Sequence, residues 1–163
     1  MYYINTFFIY SIIGFIFERF ILNTKSGILH GPLTPIYGIG AIIIIIVSKY
    51  IFKNLHLSKF TEVLISAILL TIILTLLEFL TGIIIEKAFN IVFWDYTKLP
   101  LNIGKYIALP VSLGWFIASF LLIYFIKPIL DKLIIKIPNY LTLTLIIFLL
   151  LDITYTIIKG IDK

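Results

Sequence analysis

The stretch LEFLTGIIIEKAFNIVFWDYTKLPLNIG, residues 77–104, decides how this chain folds. It begins in a long apolar run that carries Glu78 and Glu86, and it continues into an aromatic segment around Asp95. Ionisable groups inside an apolar span are costly to bury and are usually functional. The stretch therefore predicts a membrane helix with a polar face, followed by a loop that carries chemistry.

The composition of the whole chain indicates that its solvent is a bilayer. Of 163 residues, 61% are hydrophobic and only 13% are charged. The mean hydropathy of +1.15 is well above that of an ordinary soluble domain. Apolar segments that can cross about 30 Å of hydrocarbon run roughly over residues 3–22, 35–52, 62–87, 106–127 and 140–158. We therefore expect an all-α fold, a polytopic membrane helical bundle of about five transmembrane helices, with residues 1–163 as a single domain.

Residue usage excludes several classes of site. The chain has no cysteine and only two histidines, His30 and His56, so it has no thiolate metal site and no three-histidine zinc site. We predict no metal, no cofactor and no catalytic residue. The net charge of +5 is spread as single lysines near helix ends, which suits lipid headgroups better than nucleic acid. The expected partner is the lipid bilayer, and no nucleic acid is expected.

The lysines also suggest an orientation. Five spans place the two termini on opposite sides of the membrane. On the side of the amino terminus, the lysines lie in two compact segments, residues 49–59 and 127–136. On the other side, Arg19 and Lys87 fall within or at the end of spans. By the positive-inside rule, we expect an integral protein of the cell membrane with a cytoplasmic amino terminus.

Two of the predicted helices carry a polar face. The face is made by Ser11, Gly14 and Glu18 on the first helix, and by Thr71, Thr75, Glu78, Gly82 and Glu86 on the third. Small residues let another helix approach, so Glu18 is expected to point into the bundle. Glu78 and Glu86 lie about 12 Å apart along the axis and about 80° apart around it, too far to hold one small ion together.

These carboxyl groups allow more than one interpretation. Glu78 is either a hydrogen-bonded carboxyl that fixes helix packing or a proton carrier or ligand for a cationic group. For Glu18 and Glu86, an ion pair with Arg19 is favoured. Asp152, near the end of the fifth helix, is interpreted as a solvated interfacial carboxylate.

Two loops, residues 26–38 and 93–104, follow the first and third helices and should lie on the same side of the membrane. Their turns are predicted to be formed by Gly31, Pro32, Pro35, Gly38 and Gly104. Asp95 lies between Trp94 and Tyr96, and a carboxylate framed by aromatic faces suits a cationic ligand. The alternative is that Asp95 only closes a turn beside an aromatic anchor.

A short echo links two helix starts. PIYGIGA, residues 35–41, and PVSLGWFIA, residues 110–118, each place a proline before a small-residue entry into a span. Together with the carboxylate-bearing helices that precede them, these segments predict two parallel helix hairpins and a fifth helix.

Four segments, SIIGFIFERF, GILHGPLTPIYGIGA, LEFLTGIIIE and FWDYTKLPLNIGKYIALPVSLGW, follow one another over most of residues 11–115. They resemble the CmpB-like family of small integral membrane proteins, which is labelled ABC-transporter type IV. The resemblance implies a polytopic helical protein with a transport-associated role. It maps the family's recurring polar features onto Ser11, Gly14, Glu18, Gly31, Pro32, Pro35, Tyr37, Gly38, Glu78, Glu86, Trp94, Asp95, Tyr96, Asn102, Gly104, Ser112 and Trp115. Family members commonly have arginine and cysteine where this chain has Ser26 and Thr34, which argues against an essential arginine or thiol at those positions.

The predicted function is transport-associated binding of a small polar or cationic solute within the bundle. The expected ligand-binding residues are Glu18, Tyr37, Glu78, Glu86, Trp94, Asp95, Tyr96, Asn102 and Trp115. No GxxxxGK[ST] motif occurs, so ATP hydrolysis would require a separate ATPase subunit, and a transport pathway would require a homo-oligomer or a partner. One alternative is an intramembrane enzyme that acts on an amphipathic or lipid-linked substrate, with Glu78 or Asp95 as acid or base. The other is a non-catalytic assembly factor, in which the polar face only fixes helix register.

Overall fold

The computed structural model describes residues 1–21, 23, 28–51 and 57–159. Ser26 and His56 lie outside the described residues. Helix accounts for 77% of the structure, and this confirms the all-α polytopic bundle that the sequence predicts.

The helices are α1 (Tyr2–Ile16), continued by a π-helical turn (Phe17–Ile21), α2 (Pro35–Ile51), α3 (Lys59–Phe89), α4 (Leu109–Leu121), continued by a second π-helical turn (Leu122–Ile126), α5 (Lys127–Ile134) and α6 (Asn139–Lys159). Strands β1 (Asn102–Ile103) and β2 (Ile107–Ala108) pair antiparallel between α3 and α4, with Asn102 opposite Ala108.

Most of the helical stretches have the length and apolarity of membrane spans. Among the described residues, four are long and apolar enough to cross a bilayer: Tyr2–Ile21, Lys59–Phe89, Leu109–Ile134 and Asn139–Lys159. Helix α2 has 17 residues and is about 26 Å long, which lies at the short end of the range for a span.

The bounds of α3 follow from its caps. Ser58 stands before the first turn, and its hydroxyl accepts a hydrogen bond from the N–H of Thr61 at 3.2 Å, as an N-cap serine should. The helix ends at Asn90, which adopts the left-handed conformation with φ 55°, and the Asn90 N–H donates to the Glu86 carbonyl at 2.9 Å. Asparagine tolerates this conformation, so the helix stops there and the chain can reverse.

The chain divides into two compact units. The first unit comprises Met1–Ile42 and Ile129–Lys163, and the second comprises Ile43–Pro128.

Buried polar groups join α1 to the carboxyl-terminal helices of the first unit. The Thr142 hydroxyl donates to Asn5 Oδ1 at 2.5 Å, and Asn5 Nδ2 donates to the Ile134 carbonyl at 3.5 Å. Thr142 and Asn5 are 0% and 2% exposed. Because hydrocarbon offers no hydrogen-bond partners, these polar groups fix the positions of their helices by satisfying one another.

Asp152 of α6 holds the loop that precedes α2. Its two carboxylate oxygens accept hydrogen bonds from the backbone N–H groups of His30 at 3.1 Å and Gly31 at 3.0 Å. A Cβ at Gly31 would lie 2.7 Å from Asp152 Oδ2, so a larger residue there would displace the Asp152 carboxylate. Asp152 is therefore a structural acceptor for this loop and not merely a solvated interfacial carboxylate.

The second unit is built on the packing of α3 against α4 and the segment between them. The apolar side chains that α3 buries are Val63, Ala67, Leu70, Leu74 and Ile85. The Thr75 and Ser112 hydroxyls are hydrogen-bonded across the two helices at 3.1 Å. This polar contact sets the register of α4 on α3.

Gly38 and Gly114 provide a matched pair for testing the packing of the first unit. A Cβ at Gly38 would overlap Ser11 Oγ and lie 2.5 Å from the Phe7 carbonyl oxygen, whereas nothing lies within 4 Å of a Cβ at Gly114. Both glycines are helical, so alanine gains up to about 1 kcal/mol of helix propensity at either position. We expect Gly38→Ala to lower the free energy of unfolding by about 1–3 kcal/mol through overpacking, and Gly114→Ala to leave it unchanged or to raise it. Unfolding in detergent measures both, and equal shifts for the two variants would contradict the packing described here.

Candidate functional site

The polar face of α3 is covered by the segment that follows the helix and by α4. The chain reverses at Asn90, and residues 90–108 lie against α3 before α4 begins, with Tyr96 bonded to Glu78 and Tyr106 to Glu86. Thr75, Glu78, Gly82 and Glu86 of this face each contact a residue of this segment or of α4. Thr71, the first residue of the predicted face, instead donates to the Ala67 carbonyl of its own helix.

Glu78 is the most buried of these carboxyl groups. Its side chain is 8% exposed. The Tyr96 hydroxyl donates to Oε1 at 2.6 Å, and the Trp115 indole N–H donates to Oε2 at 3.0 Å. Both donors are neutral, and among the described residues no lysine or arginine forms an ion pair with Glu78. The result is a buried acid whose two oxygens are each held by one aromatic side chain.

Glu86, two turns further along α3, has a different environment. It forms an ion pair with Lys105 and accepts a hydrogen bond from the Tyr106 hydroxyl at 2.7 Å. The Tyr106 ring lies against Gly82, where a Cβ would come within 2.6–2.9 Å of three ring carbons. The cation beside Glu86 is Lys105, whereas the sequence favoured Arg19.

The environment of Glu86 also shifts the pKa values of its two neighbours, Tyr106 and Lys105. Tyr106 is 4% exposed. Burial, together with the hydrogen bond to Glu86, raises the pKa of Tyr106 to about 12. The hydrogen bond to Glu86 raises the pKa of Lys105. At neutral pH the cluster therefore holds a neutral tyrosine and a charged lysine on one carboxylate.

Asp95 has a local role in the turn. Its Oδ1 accepts a hydrogen bond from the Thr97 N–H at 2.9 Å, and hydrogen bonds from the Thr97 hydroxyl and N–H lower the pKa of Asp95. The flanking rings turn away from it: Tyr96 reaches Glu78, and Trp94 packs edge-on against Tyr106 with ring centroids 6.0 Å apart. Of the two interpretations that the sequence allows, these contacts match the turn.

Asn102 and Gly104 shape the β-hairpin that positions Tyr96. Asn102 Nδ2 donates to the Gly104 carbonyl at 3.0 Å, and Gly104 has φ +63°, a conformation that favours glycine. The Tyr96 N–H donates to the Lys105 carbonyl at 2.8 Å. The hairpin thus fixes Tyr96 next to residues whose side chains already bind Glu86.

The remaining predicted residues lie in the first unit. The Tyr37 hydroxyl donates to Oε1 of the half-buried Glu18 at 3.0 Å. Pro35 is the first residue of α2, Pro32 is exposed in the preceding loop, and Gly31 and Gly38 make the close approaches described above.

The sequence interpretation missed two residues of the Glu86 cluster, Lys105 and Tyr106. Lys105 is only one of the single lysines near helix ends in that interpretation, and Tyr106 has no assigned role in the site. The signal that could have identified them is a lysine and a tyrosine directly after the turn glycine Gly104. Among residues 1–21, 23, 28–51 and 57–159, no three His, Asp or Glu side chains come together as a metal-binding group.

The comparisons with known proteins identify the family. The chain matches the family described as "Putative ABC-transporter type IV" over residues 5–157, and it belongs to this family. Neither a curated protein nor a solved structure matches the chain. The family and the apolar helices together make it a membrane protein of a transport-associated family, which confirms the resemblance drawn from the motifs.

The alkaline stability of the protein should depend on Tyr106. Because its pKa in the folded protein is about 12 and its ordinary value is 10.0, the unfolded chain loses the tyrosine proton first as the pH rises. The stabilising contribution is full below about pH 10 and is lost as the pH rises through 12. We expect the melting temperature to fall more steeply over this range in the unmodified protein than in Tyr106→Phe, as measured by thermal unfolding in detergent.

Tyr140, which is 73% exposed, provides the control for this titration. Tyr140→Phe should reproduce the pH profile of the unmodified protein. An unchanged profile in Tyr106→Phe would show that the Tyr106 hydroxyl does not contribute.

Proposed function

We propose that this family member binds the cationic group of a small polar solute at Glu78 as part of a transport process. The observation that carries the proposal is a carboxyl group that is buried in a membrane span and whose hydrogen-bond donors, within the part of the chain that the structure describes, are neutral aromatic side chains. A cationic ligand gains more from such a carboxylate than a neutral donor does, since hydrogen bonds that involve ionised groups are the stronger ones.

The chemistry around Glu78 is suited to exchange of partners. Tyrosine and tryptophan can release the carboxylate without leaving a buried charge of their own. After release, the faces of both rings can still attract the cation through a cation–π interaction. Glu86, in contrast, already has a cationic partner in Lys105. We therefore place the solute at Glu78, with Tyr96 and Trp115 as its frame.

The other predicted ligand residues take supporting roles in this proposal. Asn102 and Asp95 hold the loop conformation that presents Tyr96. Trp94 packs on Tyr106 and stabilises the Glu86 cluster. Because the chain lacks a phosphate-binding GxxxxGK[ST] loop, we propose that a separate ATPase subunit supplies the energy for transport and that copies of this chain associate to form the pathway.

A second candidate function is that of a membrane assembly factor. It is favoured by one observation: each described oxygen of Glu78 and Glu86 already accepts a hydrogen bond from within the second unit. In this case the polar face of α3 only specifies how α4 and its loop pack, and removal of an acid affects folding alone.

Tryptophan fluorescence can separate the two candidates. The chain has two tryptophans, so a Trp94→Phe background leaves Trp115 as the only reporter beside Glu78. Titration of the purified protein with methylammonium, which can donate hydrogen bonds, should give a saturable change in Trp115 emission. Glu78→Gln should weaken the apparent affinity at least tenfold, because one hydrogen bond to a charged group is worth about 1.5–3 kcal/mol.

Glu62→Gln is the matched control, since Glu62 lies in the first turn of the same helix and is half-exposed. This variant should bind the probe as the background does. Binding that survives Glu78→Gln, or a titration without saturation, would contradict the solute site. Loss of thermal stability in Glu78→Gln without any probe binding in the background would favour the assembly role.

We also propose that the amino terminus is cytoplasmic in the cell membrane. The support is the two compact lysine-containing segments, residues 49–59 and 127–136. Because the chain has no cysteine, single-cysteine variants report topology directly. A membrane-impermeant maleimide applied to intact cells should label Lys98→Cys and should not label Lys136→Cys. The reverse pattern would require the opposite orientation.

A further inference from the structure

One short pattern occurs on both α1 and α3. GFIFER, residues 14–19, and GIIIEK, residues 82–87, each contain a glycine, a glutamate four positions later and a basic residue directly after the glutamate. In an α-helix, positions i and i+4 lie on one face and are separated by about 6 Å along the axis. This spacing holds within α3, and in the first pattern α1 passes into its π-helical turn just before Glu18. Each pattern therefore presents a gap without a side chain and a carboxylate one turn beyond it.

In the first unit, this gap and carboxylate are occupied by Tyr37. The ring covers Gly14, where a Cβ would overlap it. The hydroxyl of the same tyrosine donates to Glu18 Oε1 at 3.0 Å. Tyr37 lies in the first turn of α2, just after the loop that follows α1.

In the second unit, Tyr106 makes the same two contacts on α3. Its ring covers Gly82, where a Cβ would lie 2.6–2.9 Å from three ring carbons. Its hydroxyl donates to Glu86 Oε2 at 2.7 Å. Tyr106 lies in the segment that leads into α4, so the tyrosine again comes from the end of the connection between two consecutive helices.

We infer that these contacts are two copies of one positioning device, which we call the tyrosine clasp: a glycine, a glutamate four positions later, and a tyrosine that binds both. The glycine lets the ring lie on the helix backbone, and the spacing of one turn places the carboxylate at the hydroxyl. Each clasp fixes the end of its own connecting segment on the helix that precedes it. Glu18, Tyr37, Glu86 and Tyr106 are thus positioning residues, and this role does not depend on whether Glu78 binds a solute.

The two clasps differ in their connecting segments and in their neighbouring charges, although both make the same ring and hydroxyl contacts. Tyr37 follows the proline that opens α2, whereas Tyr106 precedes Pro110, so the connecting segments differ while the contacts are the same. The second clasp also includes the ion pair between Lys105 and Glu86. In the second unit the clasped segment carries Tyr96, so this clasp also sets the position of the hydroxyl that binds Glu78.

The chain offers two matched reporters for the clasps. Leu33 and Ala108 are 8% and 1% exposed, and each lies two residues before the proline at the start of the next helix. Because the chain has no cysteine, Leu33→Cys and Ala108→Cys can each serve as the only thiol. The rate of maleimide labelling of the purified protein then measures how often each connecting segment opens.

Tyr37→Phe should raise the labelling rate at position 33 about fivefold, the factor that corresponds to the net value of one hydrogen bond, and should leave position 108 unchanged. Tyr106→Phe should have the converse effect. Phenylalanine keeps the ring on the glycine, so both variants should fold. Glu18→Gln and Glu86→Gln should reproduce the same local pattern, and Tyr140→Phe, at an exposed position, should change neither rate.

Three outcomes would overturn the inference. Equal acceleration at both reporters would mean general destabilisation instead of two local clasps. No acceleration at either reporter would mean that the tyrosine hydroxyls position nothing. A response in only one unit would mean that the second copy of the pattern is not a copy of the device.

Discussion

A carboxyl group inside hydrocarbon must obtain its hydrogen bonds from the protein, and this constraint organises the second unit. Water is absent there, and an unsatisfied polar group costs several kcal/mol. Glu78 therefore fixes where Tyr96 and Trp115 must lie. Glu86, which is nearer the end of the helix and more exposed, adds contacts to Lys105 and Tyr106. Since these partners come from the loop and from α4, two side chains on α3 position both of the elements that follow it.

The first unit satisfies the same constraint with different residues. Asn5 and Thr142 satisfy each other between α1 and α6, and Asp152 accepts two backbone N–H groups of the loop before α2. Glycines allow close approaches in this unit, since Gly31 lies against the Asp152 carboxylate and Gly38 lies against Ser11 and Phe7. Polar groups thus provide the specificity of helix packing that apolar side chains in lipid cannot provide alone.

Glu78 and Glu86 have the same side chain but different environments, and this difference is the basis of the functional proposal. Glu86 lies near the end of α3 and has a lysine beside it. Glu78 lies deeper, with neutral aromatic donors on both oxygens. A solute with a positive charge therefore has more to gain at Glu78, while Glu86 is better suited to hold the loop in place.

The sequence by itself determined the class of fold, the family and the face of α3 on which polar residues lie. Hydropathy and helical periodicity depend on local spacing, which a single chain displays directly. Only the tertiary structure decided which group meets which acid. Lys105 rather than Arg19 pairs with Glu86, Asp95 turns to Thr97 instead of a shared site, and Asp152 holds a loop far from it in sequence. These pairings depend on where the chain reverses after Asn90 and on close approaches at glycines. Neither can be inferred from the spacing of residues along the sequence.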